Sequence, residues 1–253
     1  LDWYLYTLVI LVGIFTGFVN TLAGSGSLIT LPLLIFLGLP ANVANGTNRV
    51  SILLQSLVGM REFHSRGLLD LKFSLGYAIP ATLGAILGAQ IAVDLNEMLM
   101  QKAIGITMIL MLFIMLINPK RWIEGQKEKK FSRLLEIIIF FLIGIYGGFI
   151  QAGVGIFLLA SLVLFSGFDL IRANAIKALI VLIYTIPAML IFILNNQVIW
   201  GVGLILALGG MIGAFLGVRF ASREGAGIWV HRILIGVVLL SALKLLGIFN
   251  LIF

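Results

Sequence analysis

The chain has 253 residues, of which 61% are hydrophobic and 11% charged, with a mean hydropathy of +1.19; soluble domains hold roughly 45–50% apolar and about 25% charged residues, so this composition is that of an integral membrane protein. About 20 apolar residues cross a hydrocarbon core of ~30 Å, which gives roughly eight to ten segments and leaves no room for an appended catalytic or nucleic-acid domain. The net charge of +7 falls mainly between apolar runs, as in cytoplasmic loops, and so does not signal a nucleic-acid partner; zero cysteines and two histidines exclude disulfides and Cys/His zinc chemistry.

In chain order, a start trimmed of its methionine is expected at Leu1. No cleavable signal peptide is expected, because Asp2 is the sole charge before Arg49 and no basic segment precedes the first apolar run. Apolar runs then fall at about 3–21, 27–38, 43–60, 72–92, 99–117, 134–151, 154–168, 173–194, 199–220 and 230–249. Each is predicted to be a helix, since backbone groups in lipid must be satisfied within the segment, and none shows the period-two alternation of barrel strands. The fold class is an all-α polytopic membrane protein. The polar stretch 118–133 is predicted to be a basic cytoplasmic linker between a first transmembrane repeat, 1–117, and a second, 134–253.

The repeat is read from glycines. Gly13, Gly17 and Phe18 match Gly144, Gly148 and Phe149 at an offset of 131. Gly24 and Gly26 match Gly153 and Gly155 at 129, as do Gly38 with Gly167, Asn45 with Asn174, and the run from Gly84 to Gly88 with Gly213 to Gly217. Small residues are common where membrane helices pack, but one nearly constant offset argues for duplication. Loop charge then sets orientation: basic near 61–72 (Arg61, Arg66, Lys72), acidic near 93–98 (Asp94, Glu97), uncharged at Asn195 to Gln197, basic at 223–232. Matching loops lie on opposite sides, so two inverted-topology repeats of about five segments each are expected, some short or broken; the alternative is eight conventional spans. Inverted repeats with interrupted helices build the midplane sites of many secondary transporters.

Two constellations carry the chemistry. The breaks Asn20 to Ser27, with Gly24, Ser25 and Gly26, and Gln151 to Gly155 free backbone amides at the start of the next helix, where an anion is favoured; the bland reading is a tight, closely packed turn. Asn45, Asn48 and Arg49, with their partners Asn174 and Lys177, place two cations inside apolar segments without a carboxylate. Such cations are functional candidates, and an anionic substrate would partner them; the alternatives are snorkelling to headgroups and, for the asparagines, helix capping after Pro40 and Asp169. Gln55, Tyr184 and Pro187 are secondary candidates. His64, His231 and the carboxylates lie at helix ends or in loops and suggest no proton relay.

The segment Gly17 to Ser27, followed by Leu31-Pro32, Gly38-Leu39-Pro40 and Ala44 to Asn48, resembles the TauE/SafE sulfite exporter family of membrane permeases, as does its echo at Gly148 to Gly155 and Arg172 to Lys177. The resemblance covers essentially the whole chain. It implies carriage of sulfur-containing anions such as sulfite or sulfonates across a bacterial inner membrane, without enzyme activity, metal or cofactor. In that reading Arg49 and Lys177 neutralise charge, and Asn45, Asn48, Asn174 and the segment Gly24 to Ser27 donate hydrogen bonds. Asn20 and Gln151, at equivalent ends of the first helix of each half by the offset of 131, complete the shell. Competing readings are a passive anion channel and an intramembrane serine protease using Ser25, which would need a histidine at the same depth.

Overall fold

The computed structural model describes residues 3–116 and 132–220. The described residues form helices α1 (Trp3–Ala23), α2 (Ser27–Phe36), α3 (Ala41–Ser65), α4 (Leu71–Val93), α5 (Glu97–Leu116), α6 (Arg133–Phe149), α7 (Val154–Ala160), α8 (Leu170–Leu194) and α9 (Trp200–Phe220), with a π turn Ser161–Phe165 extending α7. No strand occurs among them. The protein is all-helical, and the nine helices follow the first nine apolar runs; the run at 230–249, the linker 118–131 and His231 lie outside the described residues.

Among the described residues, four helices, Leu5–Ala23, Leu71–Val93, Leu170–Leu194 and Trp200–Phe220, are long and apolar enough to cross a bilayer. At 1.5 Å per residue, the 10 residues of α2 reach about half of a ~30 Å core. α3 has 25 residues but carries Asn45, Asn48 and Arg49, all fully buried by neighbouring helices. The packing is inverted relative to a soluble protein. Along α4, Leu75, Ile79, Leu83, Leu87 and Ile91 point outward, while Ala78, Ala81, Ala85, Ala89 and Ala92 are fully buried; without a hydrophobic drive between helices in lipid, small residues win the interface by letting backbones approach.

The main helix pairs join the segments before and after the linker: α1 packs on α9, α4 on α6 and α8, and α3 on α8 and α9. A Cβ on Gly144 or Gly148 would strike the backbone of Ala81 or Ala85, and one on Gly13 or Gly17 would strike that of Leu206 or Gly210. α3 and α8 run antiparallel: Gly46 near the start of α3 lies against Phe192 near the end of α8, Gly59 faces Ala178, and Thr47 Oγ1 accepts from Ile199 N at 2.9 Å.

Helix ends follow local chemistry. Asp169 Oδ1 accepts from the backbone N–H of Ile171 and Arg172, and Asp70 Oδ1 from Phe73, so aspartates cap α8 and α4. The capping role considered for Asn174 is therefore filled by Asp169, and Asn174 Nδ2 instead donates to Leu170 O, one turn back. α3 begins after Pro40 with no side-chain cap, so Asn45 does not cap it.

Candidate functional site

The site forms where the two helix breaks cross. α1 ends at Ala23, Gly24 takes a left-handed conformation (φ 71°), and α2 starts at Ser27; α6 ends at Phe149, Gly153 is left-handed (φ 70°), and α7 starts at Val154. Both glycines supply a φ that other residues pay for. Gly24 and Gly155 meet backbone to backbone, so that a Cβ on either would overlap the other. The breaks differ in length. Asn20 lies in the last turn of α1, whereas Gln151 lies two residues beyond the end of α6, so these two do not occupy equivalent helix ends as the sequence offset suggested.

Both cations are buried, Arg49 at 0% and Lys177 at 4% exposure, which excludes snorkelling. Each reaches the C-terminal carbonyls of a broken helix across the linker. Lys177 Nζ on α8 donates to Asn20 O at 2.8 Å and Thr21 O at 3.2 Å, at the end of α1, and to Asn174 Oδ1 at 2.6 Å. Arg49 on α3 donates from Nη1 to Gly147 O at 3.3 Å and from Nη2 to Gly148 O at 2.5 Å, at the end of α6, with its guanidinium carbon 4.4 Å from the Phe192 ring centroid. Asn45, one turn before Arg49, adds Nδ2 to Phe149 O at 2.8 Å. The last carbonyls of a helix are unsatisfied and carry the negative end of its dipole, so buried cations have partners there without any carboxylate. Gly147 and Gly148 follow Asn20 and Thr21 by 127 residues, which places the equivalent ends of α1 and α6 about one turn from the glycine match of 131.

A small pocket, open on one side, lies beside Lys177. Asn20, Thr21 and Ser27 line it from the first break, and Gln151, Val154 and Gly155 from the second. Ile52, Gln55, Ser56, Gly59 and Phe63 contribute from α3, and Asn174, Lys177, Ala178 and Val181 from α8. Of the residues singled out in the sequence, it gathers Asn20, Ser27, Gln151, Asn174 and Lys177, with the secondary candidate Gln55. Arg49, Asn45, Asn48, Gly24, Ser25 and Gly26 are not in its wall. Asn48 Oδ1 accepts from Thr30 Oγ1 at 2.6 Å, joining α3 to α2, and Asn48 Nδ2 and Ser25 Oγ are buried without a hydrogen-bond partner. His64 lies at the end of α3 with Nδ1 3.4 Å from Leu69 O; among the described residues no histidine bonds Ser25.

Sequence reading missed Ser56 in the cavity wall and Thr185, whose Oγ1 accepts from Gln151 Nε2 at 2.9 Å. It also missed Tyr146, whose hydroxyl bonds Ala152 O and so ties α6 to its own break. Their signal is weak, since single hydroxyls in apolar helices usually bond their own backbone, as Thr21 does to Gly17 O at 2.9 Å.

Apolar helices packed through small residues, two of them interrupted beside a pocket with a buried lysine in its wall, define a polytopic membrane protein. The chain belongs to the sulfite exporter TauE/SafE family, whose model matches residues 9–245. It is 27% identical to the probable membrane transporter protein ORF9 of a Sinorhizobium species over 98% of this chain and 94% of that one. It is 28% identical to the probable membrane transporter protein YfcA of Escherichia coli K12 over 85% and 80%, and 26% identical to a probable membrane transporter protein of Haemophilus influenzae over 85% and 84%. No solved structure matches it significantly. The protein is thus an integral prokaryotic membrane protein of a transporter family.

Proposed function

We propose that the protein is a secondary transporter for a small sulfur-containing anion, sulfite or a sulfonate, moved through a midplane site between two inverted repeats, 1–117 and 134–253. The observation that carries this reading is the cavity at the crossed breaks with a single buried ammonium, Lys177, in its wall. Lys177 attracts the anion, and Asn20, Ser27, Ser56 and Asn174 offer polar contacts to its oxygens. Arg49 and Asn45 act one layer away, by holding the end of α6 that leads into the second break. The inverted arrangement is supported by reciprocal packing, α1 on α9 against α6 on α4, by the antiparallel crossing of α3 and α8, and by each cation's grip on the opposite broken helix. A site so placed can open to either side by rocking one repeat against the other.

The test is counterflow of labelled sulfite in proteoliposomes, with unlabelled sulfite, sulfoacetate, sulfate and chloride as competitors. Accumulation blocked by the sulfur anions and not by chloride is the expected outcome. An unsaturable, voltage-driven anion current without counterflow would replace the carrier by a channel.

A further inference from the structure

Resting on the carrier reading, we infer that the two bodies which move against each other in transport are the repeats with their fourth helices exchanged: α1, α2 and α3 move with α9, and α6, α7 and α8 move with α4. The seams say which helices stay together. α9 lies on α1 and α3, and α4 on α6 and α8. Along the first seam a Cβ on Gly13, Gly17 or Gly213 would strike the backbone of the facing helix, and along the second so would one on Gly84, Gly88 or Gly144. Small residues win such contacts by letting backbones approach, and a close-packed seam of this kind cannot slide without opening gaps and overlaps at several points at once. α3 is fixed to α9 in the same way: Gly203 lies against Val50 and Thr47 O, and Ser51 Oγ donates to Leu206 O at 3.3 Å.

The contacts between the two bodies are of another kind. Glycine meets backbone at single points, Gly24 at Gly155 and Gly46 at Gln197 O, and where α3 crosses α8 a Cβ on Gly59 would stand 3.9 Å from Ala178 Cβ, an ordinary van der Waals distance. Arg49, Asn45 and Lys177 cross the boundary with hydrogen bonds to carbonyls at helix ends, which can break and re-form one by one. The buried apolar residues divide along the same line. One core joins Val9, Leu34, Ala44 and Leu206, all of the first body. A second is drawn mainly from α4, α6, α7 and α8, with Ile52 and Phe63 of α3 and Val218 of α9 added. The third mixes both bodies and takes Met100, Met108 and Met111 from α5. Methionine side chains are unbranched and refit irregular gaps, which suits a joint whose two sides shift, as packed helices do in shear motions.

The chain has no cysteine, so paired cysteines can lock chosen helices together. Ser51→Cys with Gly210→Cys joins α3 to α9, where a Cβ on Gly210 would lie 2.8 Å from Ser51 Oγ; this bond ties one sequence half to the other inside one body. Gly59→Cys with Ala178→Cys, at a Cβ separation of 3.9 Å, meets the ~3.5–4.5 Å that a disulfide needs and ties the two bodies to each other. Counterflow of labelled sulfoacetate in proteoliposomes is read before and after oxidation, because sulfite would cleave the bond, and loss of maleimide-reactive thiols reports bond formation. The oxidised Ser51→Cys/Gly210→Cys protein is expected to keep the counterflow of its reduced form. The oxidised Gly59→Cys/Ala178→Cys protein is expected to lose counterflow relative to its own reduced form while still binding sulfoacetate in isothermal titration. If thermal unfolding shows that the first pair fails to fold, Val50→Cys with Gly203→Cys, whose Cβ atoms would lie 3.1 Å apart, makes the same link between α3 and α9. Counterflow lost on locking α3 to α9 means that these helices must part, and overturns the inference. Unimpaired counterflow with α3 locked to α8 overturns it equally, and in both cases the carrier reading stands. Absence of counterflow of any sulfur anion in the cysteine-free protein overturns the carrier reading, and the inference about its motion with it.

Discussion

Gly24 and Gly155 touch backbone to backbone at the point where the two helix breaks cross. Neither position has room for a methyl group, and Gly24 is in addition left-handed. Overpacking of a tight contact costs about 1–3 kcal/mol, and a non-glycine residue in the left-handed region adds strain of similar size. Gly155→Ala is expected to lower the apparent Tm of the detergent-purified protein, and Gly24→Ala to lower it further. An unchanged Tm for Gly155→Ala would mean that the crossing has slack and does not fix the relative position of the breaks.

Arg49 bonds two successive carbonyls at the end of α6 and lies over Phe192. Removing it leaves Gly147 O and Gly148 O without that partner in a buried place, and each buried acceptor left unpaired costs about 1–3 kcal/mol. Arg49→Leu is expected to destabilise strongly, and Arg49→Lys to recover part of the loss, because a point ammonium cannot serve two carbonyls as a planar fork does. Thermal unfolding of both variants checks this. A fully stable Arg49→Leu protein would remove Arg49 from its clamping role and return it to the list of substrate contacts.

Lys177 differs in that it faces the cavity as well as the end of α1. Truncating one partner of a buried, hydrogen-bonded charge pair costs about 2–5 kcal/mol of binding. Lys177→Met is accordingly expected to weaken anion binding by at least about 30-fold, read as the concentration of unlabelled sulfite that halves counterflow. Wild-type half-inhibition in a folded Lys177→Met protein would sink the proposed site.

The helices were legible in the sequence because lipid forces each backbone to bond within its own segment, and the breaks were legible because Gly24 and Gly153 interrupt runs that nothing else interrupts. The partners of Arg49 and Lys177 were not. Absence of nearby carboxylates pointed to an external anion, but apart from the Asn174 side chain, which Lys177 bonds, the groups that bind these cations are main-chain carbonyls of Asn20, Thr21, Gly147 and Gly148, which every residue carries and no sequence displays. The same blindness misplaced Gln151. Counting from glycines matched it to Asn20, whereas α6 ends before it and leaves it in the connecting stretch beside Thr185.

Asp169 caps α8, the helix that presents Asn174 and Lys177, by accepting from the N–H of Ile171 and Arg172. Loss of such a cap costs about 1 kcal/mol. Asp169→Ala is expected to lower the apparent Tm modestly, while Asp169→Asn, which keeps an acceptor at the same place, stays near wild type. Equal loss in both variants would assign the effect to charge, namely to the exposed pair of Asp169 with Arg172 at 3.6 Å.

Inverted repeats make a direct topological demand. α3 ends at Ser65 and α8 at Leu194, and the two helices cross antiparallel, so their C-terminal loops must open on opposite sides of the membrane. From loop charge the first, beside Arg61 and Arg66, is expected in the cytoplasm. The chain has no cysteine, so a single cysteine at exposed Ser65 or exposed Asn195 reports its own side without background. A membrane-impermeant maleimide added to intact cells is expected to label Asn195→Cys and to reach Ser65→Cys only after the membrane is opened. Labelling of both from the same side would rule out opposed loops, and with them the alternating site between two inverted repeats.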